Sequence, residues 1–156
     1  MRGTFGSKFK MDRMTWIKPS FLWMMYRCGW ATKDKQEKAL AIDMKRSAFD
    51  YIVRNSVISS YKEELGISYT EWKEQIHQSD IRCQWDPERD IFGNPLKIRS
   101  IQLGLKGQAL YSYVNDWIVE IEDITPYVQK LYKNKNDGID IKSLLPQEKK
   151  YAINLS

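Results

Sequence analysis

The chain has 156 residues, of which 42% are hydrophobic and 29% are charged. These fractions lie close to globular averages and exclude an intrinsically disordered chain, and the length is that of a domain with one sizeable core. We therefore expect residues 1–156 to form a single domain. The net charge of +5 comes from the N-terminal third, because residues 1–46 hold eleven Lys/Arg against four Asp/Glu. Such an excess favours an anionic partner, a nucleotide or a nucleic acid, and the alternative is a solvated basic face.

Several other classes are disfavoured by what the sequence lacks. The longest apolar stretch, residues 21–26, is too short to span a bilayer and there is no signal-peptide pattern, so we expect a cytoplasmic protein without a membrane partner. Cys28 and Cys83 match neither a disulfide framework nor a zinc motif, so no metal site is expected. With His77 as the single histidine, a Ser-His-Asp triad and a histidine metal cluster are also disfavoured.

In chain order, the first predicted element is a helix over residues 19–28, with Pro19 in its first turn and Gly29 after its end. Four segments follow: a strand over residues 38–44, a helix over 45–54, a loop over 56–66 and a helix over 70–78. The last of these carries His77, for which we expect a structural or solvent-facing position.

The C-terminal half is predicted to contain a hairpin with a long connection. A strand over residues 81–85 leads into turn-forming residues 86–90 and 93–95, and a second strand covers residues 97–105. Three elements complete the chain: a helix over residues 107–115, a strand over 117–122 and a helix over 125–133. The pattern predicts an α+β domain with a mixed sheet of about four to five short strands and four to five helices.

Residues 13–27 combine aromatic and cationic side chains. On the predicted helix, Ser20, Trp23 and Arg27 share one side, so the guanidinium can stack on the indole. Lys18 precedes a proline and is therefore extended beside a helix N-terminus, where an anion is favoured. These four residues are our candidate phosphate site; the alternative is an apolar core stripe with Lys18 and Arg27 solvated.

A second candidate lies in the predicted turn after the first hairpin strand. Asp86 and Glu88 can act there as a catalytic acid and base, or can pair with Arg89, which would keep both carboxylates ionised. On the second hairpin strand, Arg99 shares a face with apolar residues and needs an anion, either one of these carboxylates or a ligand phosphate. Gln102 lies on the opposite face and joins the ligand-binding candidates.

Six motifs carry a resemblance to a known family. They are MTWIKPSFLWMMYR at 14–27, GWATK at 29–33, WDPERD at 85–90, RSIQLGL at 99–105, DWI at 116–118 and ITP at 124–126. In order and spacing they resemble the family called domain of unknown function 4291, nearly end to end. The resemblance implies no established activity. It does imply a further N-terminal segment that forms a strand, and we expect the counterpart of that segment to be missing here.

Two classes of function follow from these residues. The first is an enzyme acting on a nucleotide or nucleic acid, in which Lys18, Arg27 and Arg99 hold phosphates and Glu88 or Asp86 is the working carboxylate. The residue types of this first class are loosely similar to those of an ADP-ribosyltransferase site, which binds NAD. The sequence lacks a P-loop and a dinucleotide-binding glycine motif, so the ordinary P-loop and Rossmann modes of nucleotide binding are disfavoured. The second is a non-catalytic module that binds nucleic acid or protein, or an inactive truncated copy. No particular cofactor or oligomeric state is predicted.

Overall fold

The computed structural model describes residue 5 and residues 9–153. These residues include six strands: β1 (Thr15–Ile17), β2 (Leu40–Met44), β3 (Val57–Ile58), β4 (Ile81–Arg89), β5 (Pro95–Leu105) and β6 (Ile118–Asp123). Five α-helices accompany them: α1 (Phe21–Cys28), α2 (Arg46–Arg54), α3 (Tyr69–Gln78), α4 (Gly107–Ser112) and α5 (Thr125–Asn136). Single turns of 3-10 helix cover Glu63–Leu65 and Lys142–Leu144, and a π-helical turn, Tyr113–Trp117, continues α4.

Local sequence signals explain where α1 begins and ends and where α3 begins. Helix α1 is capped by Ser20, whose Oγ accepts a hydrogen bond from the Trp23 amide at 3.3 Å. It ends at Gly29, which has a left-handed φ of 59° that glycine adopts without steric cost. Helix α3 is capped in the same way by Ser68, whose side chain accepts from the Glu71 amide.

The strands form two sheets. The larger sheet has the order β1-β5-β4-β3, in which β3 pairs with β4 in parallel and the other pairs are antiparallel. The smaller sheet pairs β2 with β6. This is the expected α+β fold with a mixed four-stranded sheet and five α-helices, and the second sheet was not expected.

Two hydrophobic clusters stabilise the described residues. The first covers one face of the larger sheet, which we call its apolar face, and includes Leu103 and Leu105 of β5 and Tyr113 after α4. The second joins α1 to α5 through residues such as Met25 and Leu131. The opposite face of the larger sheet, here called its polar face, is therefore the one available for chemistry.

Several sequence predictions need correction. Residues 86–89 are the end of strand β4 and not a turn, so the hairpin connection is only residues 90–94. Strand β4 continues through Pro87 because its pairing with β5 shifts register between Pro87 and Arg89, and such an irregularity accommodates a residue without an amide hydrogen. Strands β1 and β3, with three and two residues, were not predicted either. None of the helices described is long and apolar enough to cross a membrane.

Candidate functional site

The polar face of the hairpin β4–β5 carries facing polar side chains. Gln84 pairs with Gln102, and Asp86 pairs with Ser100, so each pair lies on one side of the sheet. The start of α1 packs against β4 at this point. The result is a cluster of six residues, the polar cluster, which consists of Lys18, Ser20, Gln84, Asp86, Glu88 and Ser100.

Lys18 and Asp86 form the buried part of the polar cluster. The Lys18 Nζ lies 3.2 Å from Asp86 Oδ2 and donates to the Ser100 carbonyl oxygen at 2.9 Å. The side chains are only 1% and 12% exposed, respectively. Burial lowers the pKa of Lys18, and the hydrogen bond to Asp86 opposes that effect. The second oxygen of Asp86 accepts from Gln84 Nε2 at 2.7 Å, so this carboxylate is bonded on both sides.

Glu88 is the half-buried carboxylate of the polar cluster, and two hydroxyls hold it. Ser100 Oγ donates to Oε1 at 2.5 Å, and Ser20 Oγ donates to Oε2 at 3.1 Å. Among the described residues Glu88 forms no ion pair, since Lys18 pairs with Asp86. Asp86 is thus in direct contact with the Lys18 ammonium, whereas Glu88 is oriented by two hydroxyls and interacts with that ammonium only at longer range. Such a group can accept a proton or stabilise a developing positive charge.

The helix N-terminus that was predicted to hold a phosphate already has an anion. Glu148, in the C-terminal segment after the last 3-10 turn, accepts a hydrogen bond from the Phe21 amide through Oε1 at 2.8 Å. Trp23 packs beneath this region, with its ring 4.8 Å from the Lys18 Nζ. Lys18, Ser20 and Trp23 lie together, and Asp86 and Glu88 of the second candidate lie beside them.

The three predicted arginines lie outside the polar cluster. Arg27 is exposed and donates to Gln36 at 3.2 Å. Arg99 lies near the outer end of β5, where it is exposed and needs no buried anion, and it donates to the Trp85 carbonyl at 3.2 Å. The expected pairing of Arg89 with Asp86 or Glu88 does not occur among the described residues. Instead, the Arg89 guanidinium lies 4.0 Å from the Tyr26 ring.

Three residues of the polar face were missed by sequence reasoning, namely Arg82, Gln84 and Ser100. The two-residue period of a strand that continues to residue 89 puts Arg82 and Gln84 on the side of Asp86, so the signal was present but hidden by the predicted turn. Arg82 is half-buried, and its buried Nε has no hydrogen-bond partner among residue 5 and residues 9–153.

Metal binding has no support in this arrangement. Within the described part of the chain, no group of three or more His, Cys, Asp or Glu side chains is placed to hold a metal ion. The two cysteines are buried and free. The polar cluster itself contains two carboxylates, two hydroxyls, one amide and one ammonium group.

Comparison with known proteins identifies a family. The model of a family described as "Domain of unknown function (DUF4291)" matches residues 1–151 of this chain. No curated protein matches the chain, and no solved structure does. The family match covers the strands, the helix and the cap that build the polar cluster.

Proposed function

We propose that this chain, which belongs to the DUF4291 family, is a nucleotide-directed enzyme in which Glu88 is the working carboxylate. The observation that carries the proposal is the difference between the two carboxylates of the polar cluster. Asp86 is paired with Lys18, whereas Glu88 forms no ion pair among the described residues and is oriented by the hydroxyls of Ser20 and Ser100. Pairs of titratable groups in different surroundings are typical of active sites.

A carboxylate with this environment suits transfer of a ribosyl group. When the glycosidic bond of NAD breaks, its electron pair leaves with nicotinamide and positive charge develops on the ribose, as in other glycosidic cleavages. The Glu88 carboxylate stabilises that charge. It then accepts the proton of the nucleophile that forms the new bond to the ribose carbon.

The end of the polar face near Gly104 carries groups that suit a nucleotide. Trp16 and Arg82 both pair with Gly104, from the two sides of β5. Gly104 lies beneath the Trp16 ring and the Met14 sulfur, which a Cβ at this position would approach to 3.0 and 2.6 Å. The exposed indole and the half-buried Arg82 guanidinium lie on either side of β5. Rings of this kind stack on bases, and guanidinium groups bind phosphates.

The spacing along β4 indicates the size of this ligand. Arg82 and Glu88 are six residues apart, which corresponds to about 20 Å of extended strand. A ligand that contacts both residues is therefore an extended molecule, such as a dinucleotide, and not a single phosphate group.

The test is a measurement of NAD binding by calorimetry and of nicotinamide release by chromatography. We expect Glu88→Gln to reduce release by at least about 100-fold while NAD binding is retained, because the carboxylate that stabilises the charge on the ribose and accepts the proton is lost. Arg82→Met is expected to weaken binding by about 10-fold or more. Glu120→Gln, at an exposed position of β6, is the control. Undiminished release by the Glu88 variant, or no binding of NAD and nucleotides by the unmodified chain, contradicts the proposal.

A second candidate function, binding of single-stranded nucleic acid without catalysis, is favoured by the outer part of the hairpin. There the exposed Trp85 side chain lies beside exposed Arg99, which donates to its carbonyl, and Lys97 and Ile98 are also exposed. Cations beside exposed rings are the usual means of holding a nucleic-acid backbone and its bases.

Salt dependence tests this second function. Binding of a short oligonucleotide through phosphates weakens steeply as salt is added. We expect Arg99→Gln with Arg27→Gln to flatten that dependence and Trp85→Ala to weaken binding at every salt concentration. A salt-independent affinity in the unmodified chain rules this candidate out.

A further inference from the structure

A cavity separate from the polar cluster lies between α1, α5 and the loop that joins β4 to β5. Its volume is about 210 Å³, and we call it the aromatic cavity because Tyr26, Trp30 and Phe92 contribute to its wall. Gly93 and Lys135 also line it. The volume is below the usual range for ligand pockets, roughly 300 Å³ and above, so it suits a single ring system rather than a dinucleotide.

The wall of the aromatic cavity is held in place by contacts on the hairpin side. The Arg89 guanidinium lies 4.0 Å from the Tyr26 ring and donates to the Gly93 carbonyl at 3.1 Å. Gly93 has a φ of 84°, and a Cβ there would lie 3.3 Å from the Tyr26 ring. Asp90 accepts hydrogen bonds from the amides of Phe92 and Asn94, both at 2.9 Å. The loop is thus fixed in the shape that forms the cavity.

The wall on the α1 side includes a residue with a strained backbone. Gly29, Trp30 and Ala31 all have a positive φ, of 59°, 57° and 61°. A residue with a side chain in this conformation costs on the order of 1–3 kcal/mol, and such strain is found preferentially at functional sites. Trp30 is nevertheless buried in the cavity wall, where its ring packs edge-on against Phe21.

Lys135 supplies a positive charge among these rings. Its Nζ lies 5.9 Å from the Trp30 ring, 5.7 Å from the Phe92 ring and 5.9 Å from the Tyr132 ring. It pairs with no carboxylate among the described residues. Asp90 also lines the cavity, but its carboxylate is occupied by backbone and Asn94 donors, and these hydrogen bonds lower the pKa of Asp90. The ammonium group of Lys135 is therefore the one available to a ligand.

We propose that the aromatic cavity binds a small planar aromatic anion, whose ring packs against Phe92 and Trp30 and whose anionic group pairs with Lys135. Phe92 is 71% exposed on the connecting loop, so a ring that covers it removes apolar surface from water. A neutral ring gains only the apolar contact, and a bare anion gains only the ion pair. The site is accordingly selective for ligands that combine both groups.

The probes are phenyl phosphate, phenol and inorganic phosphate, with binding followed by the amide signals of Phe92 and Gly93 in nuclear magnetic resonance. We expect phenyl phosphate to saturate with a dissociation constant in the range of about 0.1–1 mM, and phenol and phosphate to bind at least about tenfold more weakly. Benzoate in place of phenyl phosphate distinguishes a carboxylate from a phosphate as the preferred anionic group.

Matched variants locate the site. Lys135→Gln and Phe92→Ala should each weaken phenyl phosphate binding by about tenfold. Lys130→Gln, on the same helix and exposed, and Tyr111→Ala, an exposed ring in α4, should leave it unchanged. Absence of saturable binding in the millimolar range, or equal effects of the two lysine variants, overturns the proposal. Glu88→Gln should bind phenyl phosphate normally, which separates this site from the proposed enzyme function.

Discussion

Lys18 and Lys45 each form an ion pair with an aspartate, but in different surroundings. The Lys18–Asp86 pair is buried, whereas the Lys45–Asp116 pair has a distance of 2.7 Å with side chains that are 48% and 65% exposed. We expect Lys18→Met to lower the free energy of unfolding by about 3–5 kcal/mol, because Asp86 is left buried without its cation. Lys45→Met should cost at most about 1 kcal/mol, since water screens an exposed pair.

Urea denaturation of the two variants measures this difference, and a third variant isolates its cause. Lys18→Met combined with Asp86→Leu should recover much of the lost stability, because no charge then remains buried. Equal losses in Lys18→Met and Lys45→Met would show that the Lys18–Asp86 pair is solvated.

Tyr113 provides a prediction about pH. Burial raises the pKa of Tyr113 from 10.0 to about 12. Above pH 10 the unfolded chain ionises this phenol while the folded chain does not, so its contribution to stability is complete below pH 10 and is lost as the pH rises to about 12. Between about pH 9 and pH 11, the unmodified chain should lose about 1.4 kcal/mol more than Tyr113→Phe.

The free energies of unfolding of both chains at these two pH values give the result. Tyr127 and Tyr151, whose pKa values are also raised by burial, are present in both chains and cancel from the comparison. Identical pH dependence of the two chains would mean that Tyr113 is accessible to water in the folded state.

At the scale of elements, the loop after α1 contains a strained position that a substitution can relieve. Lys35 is exposed and has a φ of 64°, whereas the neighbouring exposed residue Lys33 is not among the residues with a positive φ. A left-handed residue with a side chain costs about 1–2 kcal/mol, and glycine costs about 0.4–1 kcal/mol in chain entropy. Lys35→Gly should therefore raise the free energy of unfolding by about 0.5–1 kcal/mol.

The matched control is Lys33→Gly, which gains no relief of strain and should be destabilising by about 0.5–1 kcal/mol. Thermal or urea unfolding should therefore give changes in the free energy of unfolding that are opposite in sign for the two variants. A loss of stability in Lys35→Gly would show that the left-handed conformation is not occupied in solution.

Elements with strong local signals were predicted from the sequence. Helix α1 has its serine cap and its closing glycine, and α3 has the same kind of cap, so the predicted positions of both helices are confirmed within a few residues. Strands β1 and β3 lack such signals. Three and two residues are too few for a two-residue alternation to be visible, and their pairing depends on β5 and β4, which are distant in the chain.

The candidate site was predicted in part, for a related reason. The proximity of Lys18 and Ser20 to Glu88 depends on how α1 packs against β4, and neither local propensity nor spacing contains that information. Ser100 was missed because Asp86 and Glu88 were assigned to a turn, which removes the facing strand partner. The side chains misplaced in the sequence-based prediction are therefore those at the end of β4, around Pro87, and those of β5 that face them.

At the scale of the whole molecule, residues 145–153 have no regular secondary structure but connect two helices that are far apart in the chain. Glu148 accepts from the amide at the start of α1. Tyr151 donates to the buried carboxylate of Asp50 in α2 at 2.7 Å, and its ring lies 4.7 Å from the Arg46 guanidinium. This segment therefore fixes the N-terminus of α1, and with it the hydroxyl of Ser20 in the polar cluster.

A chain that ends at Leu144 should consequently be less stable. Loss of the Tyr151 hydroxyl removes a partner of the buried Asp50 carboxylate, at about 1–3 kcal/mol, and loss of Glu148 removes a carboxylate at the α1 N-terminus, at about 0.3–1 kcal/mol. Together these predict a melting temperature lower by roughly 4–12 °C for a protein of this size. The full-length double variant Glu148→Gln, Tyr151→Phe should reproduce most of that shift. If the shortened chain melts at the original temperature, the segment is not docked in solution, and the orientation of Ser20 must come from α1 alone.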